Sequence, residues 1–404
     1  MIDIGIGFSS VGNAVLAAEE AVRAAKNNKT NWRKIDLALF LSTTEISSSS
    51  LVKALNNLLG GIPTIGLNAA AIISDHGLSR QGVVIALLSF PEGVYCTTAY
   101  TKDLQAKAAI RAGEELGEKL LYGFKNIQRN LGLIFFDKII EDGPNFILGL
   151  QEHLGRSFPC LGGMTSDTDH SLKTVLCFNQ TLMTEAACGI LWGGKLTFGL
   201  GIKHGWKPLG KPHQVTDARG NIIKTIDGEP AAKIYEDYLA CDMAKLKKDL
   251  NRLSVSYPIG IFIPGEDEYL LRNVIKIGED DSLLCQGNVP NESVIRLMIS
   301  TKETCLEATR QAVEEAQQNL TNPVVKFSRE RTSKLALAFV SVKRLGLLRR
   351  DAQKEWEIIR NGLEPNTRLI GLYTYAELAP LKTSSYKGQI YFHNQTVSIL
   401  IIEG

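Results

Sequence analysis

Polar and apolar positions along the chain alternate between two periods. Residues 2–8 interleave apolar with small side chains, the period of a strand, and residues 11–27 carry an Ala-rich stripe at helical spacing. Residues 35–41 are apolar apart from Asp36, as in a strand covered on both faces. The serines at 47–50 suit the start of a helix over 51–59, and Gly60 with Gly61 suits its end. Residues 64–67, 83–89 and 94–100 then read as strands.

The same order returns at an offset of 96 residues, which lays Leu37 on Leu133, Phe40 on Phe136, Pro63 on Pro159 and Gly66 on Gly162. A helix over 104–121 precedes the second copy as 11–27 precedes the first. A weaker third copy closes the chain, with helices over 305–320 and 352–363 and strands at 335–341, 369–373 and within 390–402. Gly66, Gly162 and Gly371 take equivalent places, and Thr165 and Thr374 stand where the first copy has Ala69. A Pro and a Gly recurring in phase with the apolar pattern mark a duplication. The expected fold class is α/β, built from repeated helix–strand–helix–strand units in layers, with mostly buried mixed or parallel sheets. Strand–helix–strand units of this kind imply parallel pairing.

Between the second and third copies lies a segment punctuated by turn signals at Gly205, Gly210, Gly220 and Gly228, with Pro230 suiting a helix start over 231–239. This places a boundary near 200–230, dividing an N-terminal module, 1–205, from a C-terminal one, 206–404.

Composition narrows the function. The 45 Lys and Arg nearly balance 43 Asp and Glu, and 44% of the 404 residues are hydrophobic. A disordered chain is excluded, and no broad basic face exists to displace counterions from nucleic acid. No apolar run approaches the ~20 residues of a spanning helix, and no basic segment precedes an apolar run at the N-terminus, so neither membrane nor secretion is expected. Seven cysteines without CxxC spacing suit a reduced, cytoplasmic compartment. The six histidines show neither HxH nor HExxH, so no metal and no cofactor is expected.

Ligands of such sheets gather at the carboxyl ends of strands, where this chain concentrates polar residues. Arg344 follows a buried strand, and with Arg272 it offers a bidentate match to a carboxylate; a structural ion pair is the other reading. Glu377, Tyr375 and Thr374 suit the amine side of the same ligand, or else a turn. His393 and Asn394 interrupt an apolar run, so they face a pocket or are satisfied internally. His204 and Trp206 wall a pocket or anchor a loop, and Thr165 with Asp167 suggests a second, related site. Catalysis has candidate nucleophiles in Cys160, Ser166 and Ser341 and bases in His204, His213 and His393, but no local motif surrounds them.

An ordered set of short motifs resembles the FIST family of sensory proteins. Its carriers are Leu161 to Gly163 with Asp167, His204 to Trp206 with Pro208 and Gly210, Val215 with Thr216, and Asp227 to Ala231 with Tyr235. Tyr257 with Pro258, Arg272, Gly287, Arg344, Gly371 to Glu377 and His393 to Thr396 complete it. The first copy departs from the family pattern, reading Gly66, Leu67, Asn68, Ala69, Ala70, Ala71 and Ile72 where hydroxyls and a carboxylate are usual. Ser341 replaces a common cysteine three places before Arg344, and Ala376 replaces a glycine before Glu377. The resemblance implies binding of a small polar metabolite, amino acids having been suggested, with the outcome passed in trans to a signalling protein. An interaction module without a ligand and an enzyme of unknown reaction are the alternatives.

Overall fold

The structure, a computed structural model, describes residues 1–29, 32–104, 107–124, 126–137, 142–166, 174–266, 268–320, 333–381 and 389–404. The three sequence copies build three units, each around four strands in the same lateral order. In the first unit these are Asp3–Ser9, Val83–Ser89, Leu37–Thr43 and Thr64–Ala69. The second uses Val94–Thr101, Ala187–Gly194, Arg129–Phe136 and Cys160–Met164, and the third Thr197–Lys203, Val397–Glu403, Lys334–Ser341 and Thr367–Thr374.

Only the last two strands of each set run parallel, joined by the crossover helices Ser48–Leu59 and Gly143–Leu154 and, in the third unit, by Val342–Leu348 and Ala352–Gly362. The remaining pairs are antiparallel, so the strand–helix–strand units pair in parallel as expected within sheets that are mixed.

Across the parallel pairs Gly66 faces Phe40, Gly162 faces Ile134 and Gly371 faces Ala338. The glycine strands therefore keep the offset of 96, but the strand before them is offset by 94. A slip of two residues leaves every side chain on its face, so periodicity could not reveal it. With the slip applied, Leu39, Leu133 and Leu337 are equivalent, and all three lie in one core cluster shared by the units.

Each unit also sends a hairpin into a neighbour's sheet. The hairpin of Ile72–Ser74 and Gly77–Ser79 leaves the first unit and pairs with Thr367–Thr374 of the third. That of Leu176–Phe178 and Thr181–Met183 leaves the second and pairs with Thr64–Ala69 of the first. That of Glu377–Pro380 and Ile390–His393 leaves the third and pairs with Cys160–Met164 of the second. The exchange is cyclic, and a ring of backbone hydrogen bonds follows it: Asn68 N–H to Val175 O (3.3 Å), Met164 N–H to Ala376 O (2.8 Å), and Tyr373 N–H to Ala71 O (2.9 Å).

The turn-rich segment is an insertion between the first strand of the third unit and its helix Lys302–Leu320. It is an antiparallel sheet built on the long strand Lys207–Arg219, with the helices Lys233–Leu239 and Met243–Ser256. Pro230 lies in the short strand Glu229–Pro230 before the first of these helices, not at its first turn. The boundary near residue 205 falls inside the third unit, whose first strand precedes it and whose other elements follow it.

Candidate functional site

Most of the residues singled out by sequence converge where the insertion meets the ring of units. In the hairpin that completes the second unit's sheet, Glu377 lies opposite His393 in register. The equivalent pairs in the other hairpins, Ile72 with Ser79 and Leu176 with Met183, contain no charge. The polar pair thus occurs in the third unit, the one that carries the insertion.

Glu377 is fully buried. Thr374 Oγ1 lies 2.6 Å from its Oε1, while Thr396 donates its hydroxyl to Oε2 at 2.7 Å and its N–H at 3.3 Å. Thr374 Oγ1 is also 3.2 Å from Val340 O. A hydroxyl has one proton, so it cannot serve both Val340 O and an ionised Glu377. A protonated Glu377 that donates to Thr374 resolves the count. Burial pushes this carboxyl up to about 7, against the opposing effect of its hydrogen bonds with Thr374 and Thr396, which favour the ionised form. His393 is equally enclosed; burial pushes it down to about 3, so the ring is neutral and donates from Nε2 to Ala379 O at 3.0 Å.

Behind this pair a polar seam ties the ring to the insertion. Asn394 Oδ1 accepts from Asn273 N–H at 3.0 Å, and Asn273 Nδ2 donates to Gln286 Oε1 at 2.9 Å. Gln286 Nε2 in turn donates to Tyr375 O at 2.8 Å. Arg272 gives its guanidinium to three carbonyls, Asn288 O, Leu271 O and Phe392 O, at 2.8–2.9 Å, and burial pushes it down to about 10.

Arg344 does not join Glu377 and Tyr375 in a clamp. Its side chain is wholly buried and forms an ion pair with Glu355 Oε1 at 2.7 Å. It also donates to His204 O (2.8 Å), Cys305 O (2.7 Å) and Thr309 Oγ1 (2.9 Å). Its donors are engaged by the protein, the ion-pair reading of the two weighed above. Sequence reasoning missed Glu355, although the signal was present: Ala352, Glu355 and Ile359 form the buried stripe of one helix, with a carboxylate in the middle.

Thr165 is buried at the end of its strand, its N–H bonded to Phe136 O, and Asp167 lies outside the described residues. Among the candidate nucleophiles, Ser166 bridges the units, donating to Tyr373 O and accepting from Ala70 N–H. Ser341 Oγ is buried without a hydrogen-bond partner among the described residues, and burial raises the Cys160 thiol far above the usual range.

His204 and Trp206 do line a cavity. It measures about 680 Å³ and is walled by Trp206, Tyr269, His204, Glu268, Glu307 and Gln311 among others. His204 Nδ1 accepts the Trp206 N–H at 2.9 Å, which puts a neutral ring's proton on Nε2, 3.0 Å from Glu268 Oε2. Lys203 Nζ lies 3.2 Å from the other oxygen of Glu268. Burial alone would raise the Glu268 carboxyl, but the adjoining His204 imidazole and the Lys203 ammonium outweigh it and hold it down to about 2. Trp206 Nε1 is buried and has no hydrogen-bond partner among the described residues.

The FIST N domain family matches residues 36–229 and the FIST C domain family matches residues 231–380. The chain belongs to the FIST family. FIST domains are sensory domains associated with signal transduction. An uncharacterized protein of Methanocaldococcus jannaschii is 23% identical over 76% of this chain and 62% of its own length, so the chain spans less than two thirds of that relative. An uncharacterized protein of Mycobacterium tuberculosis is 24% identical over 80% of this chain and 83% of its own. Among solved structures, a cyanuric acid hydrolase from A. caulinodans is matched over 100% of this chain and 99% of its own, at 7% identity and a TM-score of 0.42. Among the described residues no helix is long and apolar enough to cross a membrane.

Proposed function

We propose that this FIST protein is a cytoplasmic sensor that binds a small, amine-bearing polar metabolite, amino acids among them, and signals through a protein partner. The observation that carries the reading is the cavity of about 680 Å³ beside the seam, which sets aromatic walls against carboxylates. Trp206 and Tyr269 supply faces that attract an ammonium group, and Glu268, Glu303 and Glu307 supply negative charge, while Lys203 and Lys207 leave room for a ligand carboxylate. The ligand's charged ends are assigned to this cavity rather than to Arg344. The cavity takes its walls from the insertion through Glu268 and Tyr269, and from the third unit through Lys203, Thr304 and Glu307. A ligand that bridges them favours one setting of the insertion against the ring, a difference a partner protein can read.

The test is thermal stabilisation over a panel of amino acids and other small amines. A ligand at a hundred times its Kd stabilises by roughly 3 kcal/mol, a shift of a few degrees in Tm. Glu268→Gln and the double variant Glu303→Gln/Glu307→Gln are expected to lose the shift; the second pair is exposed, so it leaves folding intact. A shift that survives in both variants overturns the cavity assignment. If no panel member shifts the wild type but a stoichiometric protein partner co-purifies, the interaction-module alternative replaces ligand sensing.

A further inference from the structure

A second hollow lies on the insertion, apart from the seam. It measures about 380 Å³ and contains a relay of three side chains, Tyr238, His213 and Asp227. His213 Nδ1 is 2.7 Å from Asp227 Oδ2, and His213 Nε2 is 2.9 Å from Tyr238 Oη. The backbone fixes both ends. Gln214 N–H donates to Asp227 Oδ1 at 2.8 Å, and Lys211 N–H donates to Tyr238 Oη at 3.1 Å.

With Asp227 ionised and the His213 ring in its neutral form, these contacts order the protons. An ionised Asp227 only accepts, so His213 carries its proton on Nδ1, and the neutral ring offers Nε2 as an acceptor. Tyr238 already accepts from Lys211 N–H, which directs its own proton at Nε2. The result is a phenol whose proton points at an imidazole backed by a carboxylate, the general form of an activated nucleophile. Burial would raise Asp227, but the Gln214 N–H and His213 outweigh it and keep the carboxyl below its usual range.

The ring is also seated for the purpose. Gly210 has φ +70°, and a Cβ there would come within 2.2 Å of Tyr238, so only glycine lets the phenol lie where it does. The relay does join the long strand of the insertion to its first helix. A mere fastening, however, needs no hollow beside the phenol, and Lys211 and Lys233 line this one together with Glu229 and Asp237.

We propose that Tyr238 is the nucleophile of an acyl-accepting site, with His213 as its general base and Asp227 as the residue that positions the base. The substrate class is an activated carboxylic ester. Tyr238 Oη bonds to the ester carbonyl carbon as its proton passes to His213 Nε2. The bond from that carbon to the leaving oxygen then breaks, and the leaving group takes the proton from Nε2, so Tyr238 carries an aryl ester and His213 is neutral again. Hydrolysis reverses the roles: His213 takes a proton from water as its oxygen attacks the ester carbon, and returns that proton to the departing phenolate.

The experiment treats the full chain with p-nitrophenyl acetate and locates acetyl groups by peptide fragmentation. Tyr122 and Tyr95, 81% and 47% exposed, serve as internal references within the same molecule. General-base assistance is worth on the order of a hundredfold, so Tyr238 is expected to label about that much faster than the more exposed Tyr122. His213→Phe should bring Tyr238 down to the Tyr122 rate. Asp227→Asn should lower the rate in part and Asp227→Glu should recover some of it, which a purely structural carboxylate would not produce. Equal labelling of Tyr238 and Tyr122 in the wild type overturns the proposal, as does an unchanged Tyr238 rate in a folded His213→Phe protein. The wild-type comparison decides even if a variant fails to fold.

Discussion

Glu377 and His393 stand opposite each other in one hairpin, and burial disfavours the charged form of both, moving them in opposite directions. The folded Glu377 holds its proton up to about 7, whereas an unfolded glutamate releases it near 4.5. Between those values the native state binds more protons, so this group's contribution is full below pH 4.5 and is lost as pH rises through 7. His393 runs the other way: its folded value of about 3 lies below 6.5, so it costs stability as pH falls through that window. The two slopes overlap, and a substitution is needed to separate them. Glu377→Gln keeps one donor for Thr374 and one acceptor for Thr396, as the protonated acid does. Urea unfolding from pH 4.5 to 8 should show the variant gaining on the wild type as pH rises, by on the order of 3 kcal/mol in total. A constant difference across that range would mean that Glu377 is ionised in the folded protein.

At the scale of elements, the repeat was legible because glycines and apolar phases recur, and its limits have physical causes. The two-residue slip in one strand preserves side-chain faces, so the pattern carries no trace of it. The hairpin exchange is equally silent, since Ile72 and Ile73 need an apolar sheet edge but nothing local says whose. His393 to Thr396 were conspicuous as polar residues in an apolar run, and in the structure they are buried, with His393, Asn394 and Thr396 hydrogen-bonded to protein groups. Arg344 was conspicuous too, yet its partner Glu355 lies eleven residues away on a helix, beyond any motif. The units also differ in how their layers approach. Gly7 and Gly201 are equivalent on the first strands, and a Cβ on either would lie 1.8 Å from the carbonyl of Ala21 or Ala312 in the covering helix. The second unit has Ala99 there and instead brings its helices together through Gly113 and Gly149. Gly7→Ala and Gly201→Ala are therefore each expected to cost about 1–3 kcal/mol, as overpacking does, measured by chemical denaturation. A neutral result at either site would show that the helix shifts freely.

For the whole molecule, the cyclic exchange implies that no unit is a complete folding unit. Residues 1–205 contain every strand of the first unit, yet lack three partners, one of them Val397–Glu403, which pairs with Thr197–Lys203. Their hairpin at Ile72–Ser74 loses the third unit's strand Thr367–Thr374, leaving buried Ile72 and Ile73 without a sheet. Their strand Cys160–Met164 loses the hairpin Glu377–Pro380, which exposes an unpaired edge. The shared core loses Leu337, Phe339, Ile370 and Leu400 as well. Burying one such side chain is worth about 1.5–3 kcal/mol, so these losses rival the 5–15 kcal/mol that typically separates folded from unfolded chains. The fragment 1–205 is therefore expected to show no cooperative melt and to bind an apolar dye, although it carries most of the FIST N match. Mixing it with 206–404 should restore a cooperative transition, because each fragment holds the strands that the other lacks. A cooperative melt of 1–205 alone, with native-like circular dichroism, would show instead that the N-terminal pair of units closes without the third. The hairpin exchange would then be a docking contact between finished domains.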